Sequence, residues 1–254
     1  MLFRSYAGGV AAQQDVIRAQ VEQTGLHSEL LALENERRQL QSRLNALLAR
    51  PASAPLAMPE RQRVLPAPAR LEPAALEERV RARNPLLFAE EAKVNAAEKS
   101  RALTYKNRYP DFTVGVSPIQ YRGAVREWEL MVELNLPLQQ GSRRAQERES
   151  EAMLSAARAR RDATADQVVG ELMENLAALD AALRGESLAS TRLQPQAELT
   201  FKAALAGYEN GKLDFATVLD AQRQIRQARQ TRLKAQTEAQ LRLADIERLL
   251  GEDL

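Results

Sequence analysis

The sequence predicts a mainly α-helical fold with a small β part, its long helices packed antiparallel in coiled-coil fashion. Three observations lead there. Alanine, leucine, glutamate, glutamine and arginine dominate, whereas only 4% of the residues are aromatic and 28% are charged, a composition suited to helices packed side by side rather than to a compact aromatic core. Apolar residues recur three and four apart over long stretches, the spacing of a heptad seam. One interval of about thirty residues abandons that spacing for strict alternation, the period of a strand.

The first helix spans Ala12 to Ala49. Positions 16, 19, 23, 26, 30, 33, 37, 40, 44 and 47 form its seam, and all are apolar except Gln23 and Arg37. It stops at Pro51, because six of the eleven prolines fall between Pro51 and Pro73; residues 51–72 therefore read as an extended linker. A second helix covers 73–107, with an interruption at Asn84-Pro85, since a residue before proline leaves the α region.

Alternation then takes over. Phe112, Val114 and Val116 alternate with Thr113, Gly115 and Ser117, and Trp128, Leu130, Val132, Leu134 and Leu136 alternate with Glu129, Met131, Glu133 and Asn135. Two strands, 111–121 and 128–137, are expected, with RGAVRE (residues 122–127) as the connecting hairpin. Each is about ten residues, the length that spans a bilayer when tilted in a β-barrel. A soluble hairpin packed on helices would show the same alternation. A long helix over 142–206 follows, reaching on the order of 100 Å at about 1.5 Å per residue. Residues 207–212 reverse the chain into a last helix, 213–250.

The last turn and helix repeat the first. YENGKLDFATVLDAQ, Tyr208 to Gln222, matches YAGGVAAQQDVIRAQ, Tyr6 to Gln20, without a gap at Tyr6/Tyr208, Gly9/Gly211, Val16/Val218, Ala19/Ala221 and Gln20/Gln222. The register continues to Leu47 and Leu48 opposite Leu249 and Leu250, so the later helix has the same seam, built of smaller residues. Residues 1–50 thus read as the end of one repeat, 51–72 as a linker and 73–254 as a complete second repeat. On this reading the chain is an N-terminally truncated fragment. A membrane barrel needs about eight strands to close its edges; two strands per chain give six in three copies, so the fragment is not expected to close a pore alone.

Several functions are disfavoured. The 36 basic and 34 acidic residues are mixed along the chain, without the clustering of a nucleic-acid footprint. There is no cysteine and only one histidine, His27, so neither a thiolate site nor a histidine metal cluster is available. No phosphate-binding glycine loop and no nucleophile paired with a base is visible, and Glu77-Glu78 and Glu90-Glu91 read as solvated helix faces. No enzyme activity, cofactor or bound metal is expected. No run of about 18 apolar residues marks a transmembrane helix, and MLFRSYAGG has no apolar signal-peptide core.

The order of elements, together with NPLLFAEEAKVNAAEKSRAL, YPDFTVGVSP, ELNLPLQQGSRRAQ, LQPQAEL and YENGKLDFATVLDAQ, resembles the outer-membrane efflux proteins of the TolC family. The short strand region looks like the branch serving heavy-metal and related cation efflux. The resemblance implies a homotrimer with four strands per full chain, a transmembrane β-barrel of twelve strands, and a periplasmic α-barrel of long helices below it. It also implies a location in the outer membrane with extension into the periplasm.

It implies roles for named residues as well. The hairpin ends would meet the periplasmic adaptor, and through it an inner-membrane pump, at Tyr6, Gly9 and Val10 in the first copy and at Tyr208, Gly211, Lys212 and Leu213 in the second. Asp15 and Asp220 are candidate lumen acids, although Thr217 stands where some members carry a further acid one turn before Asp220. For Asp220 an ordinary exposed helix face is the equal alternative. Asp214 reads as a helix N-cap. Tyr121 and Trp128 are candidates for an interfacial aromatic girdle facing outer-membrane lipid; for Trp128 simple packing at a strand start is the alternative. The function implied is a passive export conduit of a tripartite pump, for solutes that include metal cations. A soluble coiled-coil scaffold or a periplasmic adaptor protein is the rival reading, but an adaptor's compact glycine-rich strand modules are not seen.

Overall fold

The computed structural model describes residues 13–57, 62–121, 123–136 and 139–254. In chain order the elements are α1 (Gln13–Leu47), a 3-10 turn (Pro68–Leu71), α2 (Pro73–Arg83), α3 (Pro85–Lys106), β1 (Asp111–Tyr121), β2 (Ala124–Asn135) and α4 (Gln140–Leu188). A π turn (Ala189–Leu193), α5 (Gln194–Glu209) and α6 (Phe215–Leu250) complete it. The fold is mainly helical with one two-stranded sheet, as the periodicities require.

The chain forms two compact units. One comprises residues 1–65 and 178–241, the other residues 66–177 and 242–254. In the first, α6 packs on α5 through Val218, Ala221, Ile225 and Ala228, which meet Ala197 and Ala204, with Phe201 filling the space between. The small residues of the later seam thus bring two helices close together. The matching seam of α1 behaves otherwise: Val16 is buried, but Leu30, Leu33, Leu40, Leu44 and Leu47 are exposed.

The repeat extends to the helix ends. Ala49 and Gly251, equivalent in the repeat, both have positive φ, 53° and 69°. At Ala49 the bonds Arg50 N to Asn45 O (2.8 Å) and Ala49 N to Ala46 O (3.1 Å) close α1 in a Schellman cap. The linker then folds back: buried Asn45 donates from Nδ2 to the carbonyls of Ala52 (3.1 Å) and Ala54 (2.8 Å). Later in the linker, Pro68–Leu71 makes a 3-10 turn where a wholly extended segment was expected.

In the second unit Leu76 and Val80 of α2, Leu172 of α4, and Leu243, Ile246, Leu249 and Leu250 of α6 make the core. The expected break at Asn84 is real, and it splits 73–107 into two helices. Asn84 is buried, accepts from the amides of Leu86 (2.9 Å) and Leu87 (3.3 Å) to cap α3, and donates to the Leu249 carbonyl (2.8 Å). Glu252 clamps the chain end to α2 through Arg79 and Arg83.

Several boundaries differ from expectation. Helix α5 runs to Glu209 and α6 begins at Phe215, so the turn expected over 207–212 lies at 210–214. The second strand begins at Ala124 rather than at 128, so most of the segment expected as a connection is strand, and Tyr121 pairs directly with Ala124. The long helix is not uniform: the π turn lies just before Pro195, whose missing N–H cannot continue the ladder. Within it the Gln194 N–H reaches back five residues to the Ala189 carbonyl, and the Ser187 carbonyl accepts from the hydroxyls of Thr191 (2.6 Å) and Ser190 (3.2 Å).

Candidate functional site

Two places carry the features that the sequence singled out: the turn between α5 and α6, in the first unit, and the strand pair, in the second.

The turn is a Schellman motif. Lys212 N donates to Gly207 O (2.8 Å), Gly211 N to Tyr208 O (3.0 Å), and Gly211 takes φ +66°, a conformation that favours glycine. Leu213 closes over Gly207, where an added Cβ would stand 2.5 Å from Leu213 Cδ1. Tyr208 and Phe215 meet edge to face with centroids 5.9 Å apart, and Tyr208 also packs on the cluster of Ala204, Val218 and Ala221. Asp214 starts α6 by accepting from Thr217 N (3.0 Å) and Thr217 Oγ1 (2.5 Å). These bonds hold its carboxyl below the ordinary range, with the charge of Arg18 adding to the effect. Asp214 is thus the N-cap, as its position suggested.

The tip therefore presents Gly211, Lys212 and partly exposed Leu213 on a turn fixed from both helices. Tyr6, Gly9 and Val10 lie outside the described residues. Asp15 sits in the first turn of α1, where a carboxylate complements the helix dipole. Asp220 is exposed but not isolated: Arg223 Nη1 lies 3.1 Å from it. The same guanidinium donates to Glu22 of α1 (2.6 Å), and Arg226 bonds Glu29 (3.2 Å). Arg223 lowers the Glu22 pKa through these bonds, and Arg226 adds to the effect.

The strand pair has two unlike faces. Phe112 pairs with Leu134, Val114 with Val132, Val116 with Leu130 and Pro118 with Trp128; successive residues alternate, so these share one face. Its seven large apolar side chains are all exposed, from 48% at Leu134 to 71% at Phe112. The other face carries Thr113 opposite Glu133, Gly115 opposite Met131, Ser117 opposite Glu129 and Ile119 opposite Glu127. A bulge between Ile119 and Gln120 leaves Arg126 as the extra residue of β2.

Trp128 stands on the apolar face. Tyr121, by the alternation of β1, belongs with Ser117 and Thr113 beside the turn, where Gly123 has φ +84°. The two girdle candidates are not on one face. The acids at 127, 129 and 133 are functional candidates that sequence reading passed over. Glu129 and Glu133 were visible only as polar alternates, and Glu127 was assigned to the connection. Among the described residues no group of three or more histidine, aspartate or glutamate side chains is arranged to hold a metal ion, and no helix is long and apolar enough to cross a membrane.

Comparison with known proteins agrees with this architecture. The chain is 29% identical over 254 residues to the cobalt-zinc-cadmium resistance protein CzcC of Cupriavidus metallidurans, covering 98% of this chain and 59% of that one. Among solved structures, a membrane protein from Pseudomonas aeruginosa superposes with a TM-score of 0.82 at 25% identity, over 98% of this chain and 58% of that one. The outer membrane protein VceC of Vibrio cholerae superposes with a TM-score of 0.83 at 18% identity, over 99% and 61%, and shares the fold. The chain thus spans about three fifths of the length of these relatives. The family model for outer membrane efflux proteins matches residues 76–252, which include the strand pair, the tip and the helices that hold them, and the chain belongs to that family.

Proposed function

We propose that the chain supplies part of the wall of an outer-membrane efflux conduit, through which solute leaves the cell chemically unchanged. The two-faced strand pair carries this reading. A lone two-stranded sheet is at best marginally stable in water, and seven exposed apolar side chains on one face would be an aggregation hazard there. Against lipid the same face is satisfied, provided that further strands pair with the open edges. The opposite face, with Glu127, Glu129 and Glu133, then lines water. Trp128 sits at the lipid boundary, and Tyr121 stands beside the hairpin turn.

Carboxylates repeated around a closed pore raise the local concentration of cations. The name of the CzcC relative speaks of cobalt, zinc and cadmium, and divalent cations are the cargo class proposed for this chain. The strand glutamates are better placed for that role than Asp220, whose charge is offset by Arg223. At the other functional place, the capped turn at Tyr208, Gly211, Lys212 and Leu213 offers an adaptor protein a preorganised contact, in an assembly of three full-length chains coupled to an inner-membrane pump.

The test is insertion. The purified chain is refolded with phosphatidylcholine vesicles at a protein density at which several copies can pair their strand edges, and washed in alkaline carbonate, beside a Val114→Asp/Val132→Asp variant. The wild type should stay with the vesicles and the variant should wash off. Equal behaviour of the two would remove the apolar face from the account.

A further inference from the structure

The foot of the strand pair carries a charged cluster that the conduit does not use. Residues 101–108 at the end of α3 and 140–151 at the start of α4 hold six basic side chains against three acidic ones. Two of those acids are already committed. Glu147 accepts from Arg108 (2.5 Å), and Glu151 accepts from Tyr105 Oη (2.9 Å) and Arg101 (2.9 Å). Both are held below the ordinary carboxylate range, Glu147 by Arg108 first and Glu151 by Tyr105 and then Arg101. Tyr105 is packed between two guanidinium groups, Arg101 at 5.4 Å and Arg108 at 4.8 Å from its ring centre.

Arg144 and Arg148 are left over. Both are exposed, and neither is salt-bridged to a carboxylate among the described residues. Arg144 lies within the field of Glu147, and Arg148 Nε donates to the Arg144 carbonyl (3.2 Å), which leaves the rest of its guanidinium available. With Tyr105, Glu147 and Glu151 they line an open groove of about 610 Å³. A few residues away, Tyr109 is 71% exposed between the end of α3 and β1.

We infer that this groove is a docking surface for the phosphate headgroups of anionic lipids in the periplasmic leaflet. The inference rests on the proposal that the apolar strand face lies in the membrane. If it does, the first turns of α4 stand at headgroup level, where arginine heads reach phosphate and tyrosine rings occupy the interface. Guanidinium forks match phosphate oxygens in geometry and charge. The committed carboxylates keep Arg101 and Arg108 on Tyr105, leaving Arg144 and Arg148 to face the lipid. The groove is built from the end of α3, the element before β1, and the start of α4, the element after β2, at the end of the sheet where a headgroup would meet the protein.

The test measures partition of the full chain onto phosphatidylcholine vesicles with and without phosphatidylglycerol. The variants are Arg144→Gln/Arg148→Gln and a control of equal net charge, Arg158→Gln/Arg160→Gln. The wild type should prefer the anionic vesicles, and the first variant should lose roughly fivefold of that preference per arginine, about 25-fold in all. Binding to neutral vesicles should be unchanged, as should the helical circular dichroism, and the control should retain most of the preference. An unchanged preference in Arg144→Gln/Arg148→Gln, with neutral binding intact, overturns the inference and leaves the conduit proposal standing. Failure of the wild type to bind any vesicle overturns both. Inorganic phosphate that displaces the protein as readily as phosphatidylglycerol headgroups do would make this a free-anion site and overturn the lipid assignment.

Discussion

At Gly207 an added Cβ would lie 2.5 Å from Leu213 Cδ1 and 2.8 Å from its Cγ, distances that no carbon pair sustains without movement. The adjoining turn needs Gly211 at positive φ and Asp214 at the start of α6, so the tip depends on a few residues with distinct jobs. The first copy carries Ser5 and Ala11 at the positions of Gly207 and Leu213, a larger residue against a smaller one. Gly207→Ala gains helix propensity but collides with Leu213, whereas Gly207→Ala/Leu213→Ala removes the collision. A double-mutant cycle in urea should therefore show coupling of about 1 kcal/mol in the rescuing direction. Additive effects would mean that Leu213 turns away without cost. The glycines and Asp214 were legible in the sequence because turns and caps use few residue types. The clasp of Leu213 on Gly207 was not, since it depends on how the two helices approach.

Among the elements, the strand pair was legible where it alternates and illegible where it does not. The bulge that leaves Arg126 unpaired inserts one residue into β2, so alternation read backward from Trp128 fails at that point and Ala124–Glu127 looked like connection. That same slip concealed Glu127 as a member of the acidic face. The π turn escaped notice for a related reason: no apolar seam was read across 142–206, so an extra residue in one turn had no register to disturb. The heptad seams themselves were read correctly as spacing, yet spacing does not say whether a partner is present, and the leucines of α1 stand exposed.

The polar link between α1 and α6 makes a prediction of its own. The folded pKa of Glu22 is depressed by Arg223 and Arg226. Its contribution to stability is therefore fully present above the unfolded value, about 4.3, and is lost as pH falls through the lower folded value. Protection factors of the α1 amides, which compare the observed rate with the intrinsic rate at each pH, should fall on acidification across that window, and Glu22→Gln should show less of this dependence while being less protected at neutral pH. An α1 exchange profile that keeps the wild-type acid dependence in Glu22→Gln would assign the effect to other carboxylates.

For the whole molecule, membership of the outer membrane efflux proteins follows from the match over residues 76–252, and the fold agrees with relatives of which this chain spans about three fifths. The central claim is that one face of the strand pair meets lipid and the other meets water. The chain has no cysteine, so single cysteines for spin labels can be placed without background. Labels at 127, 128, 129, 130, 132, 133 and 134 in vesicle-inserted protein would be scored for collision with oxygen, which concentrates in lipid, and with a water-soluble nickel chelate. The account predicts period-two alternation, with 128, 130, 132 and 134 favouring oxygen and 127, 129 and 133 favouring nickel. Uniform access of nickel to both sets would contradict it.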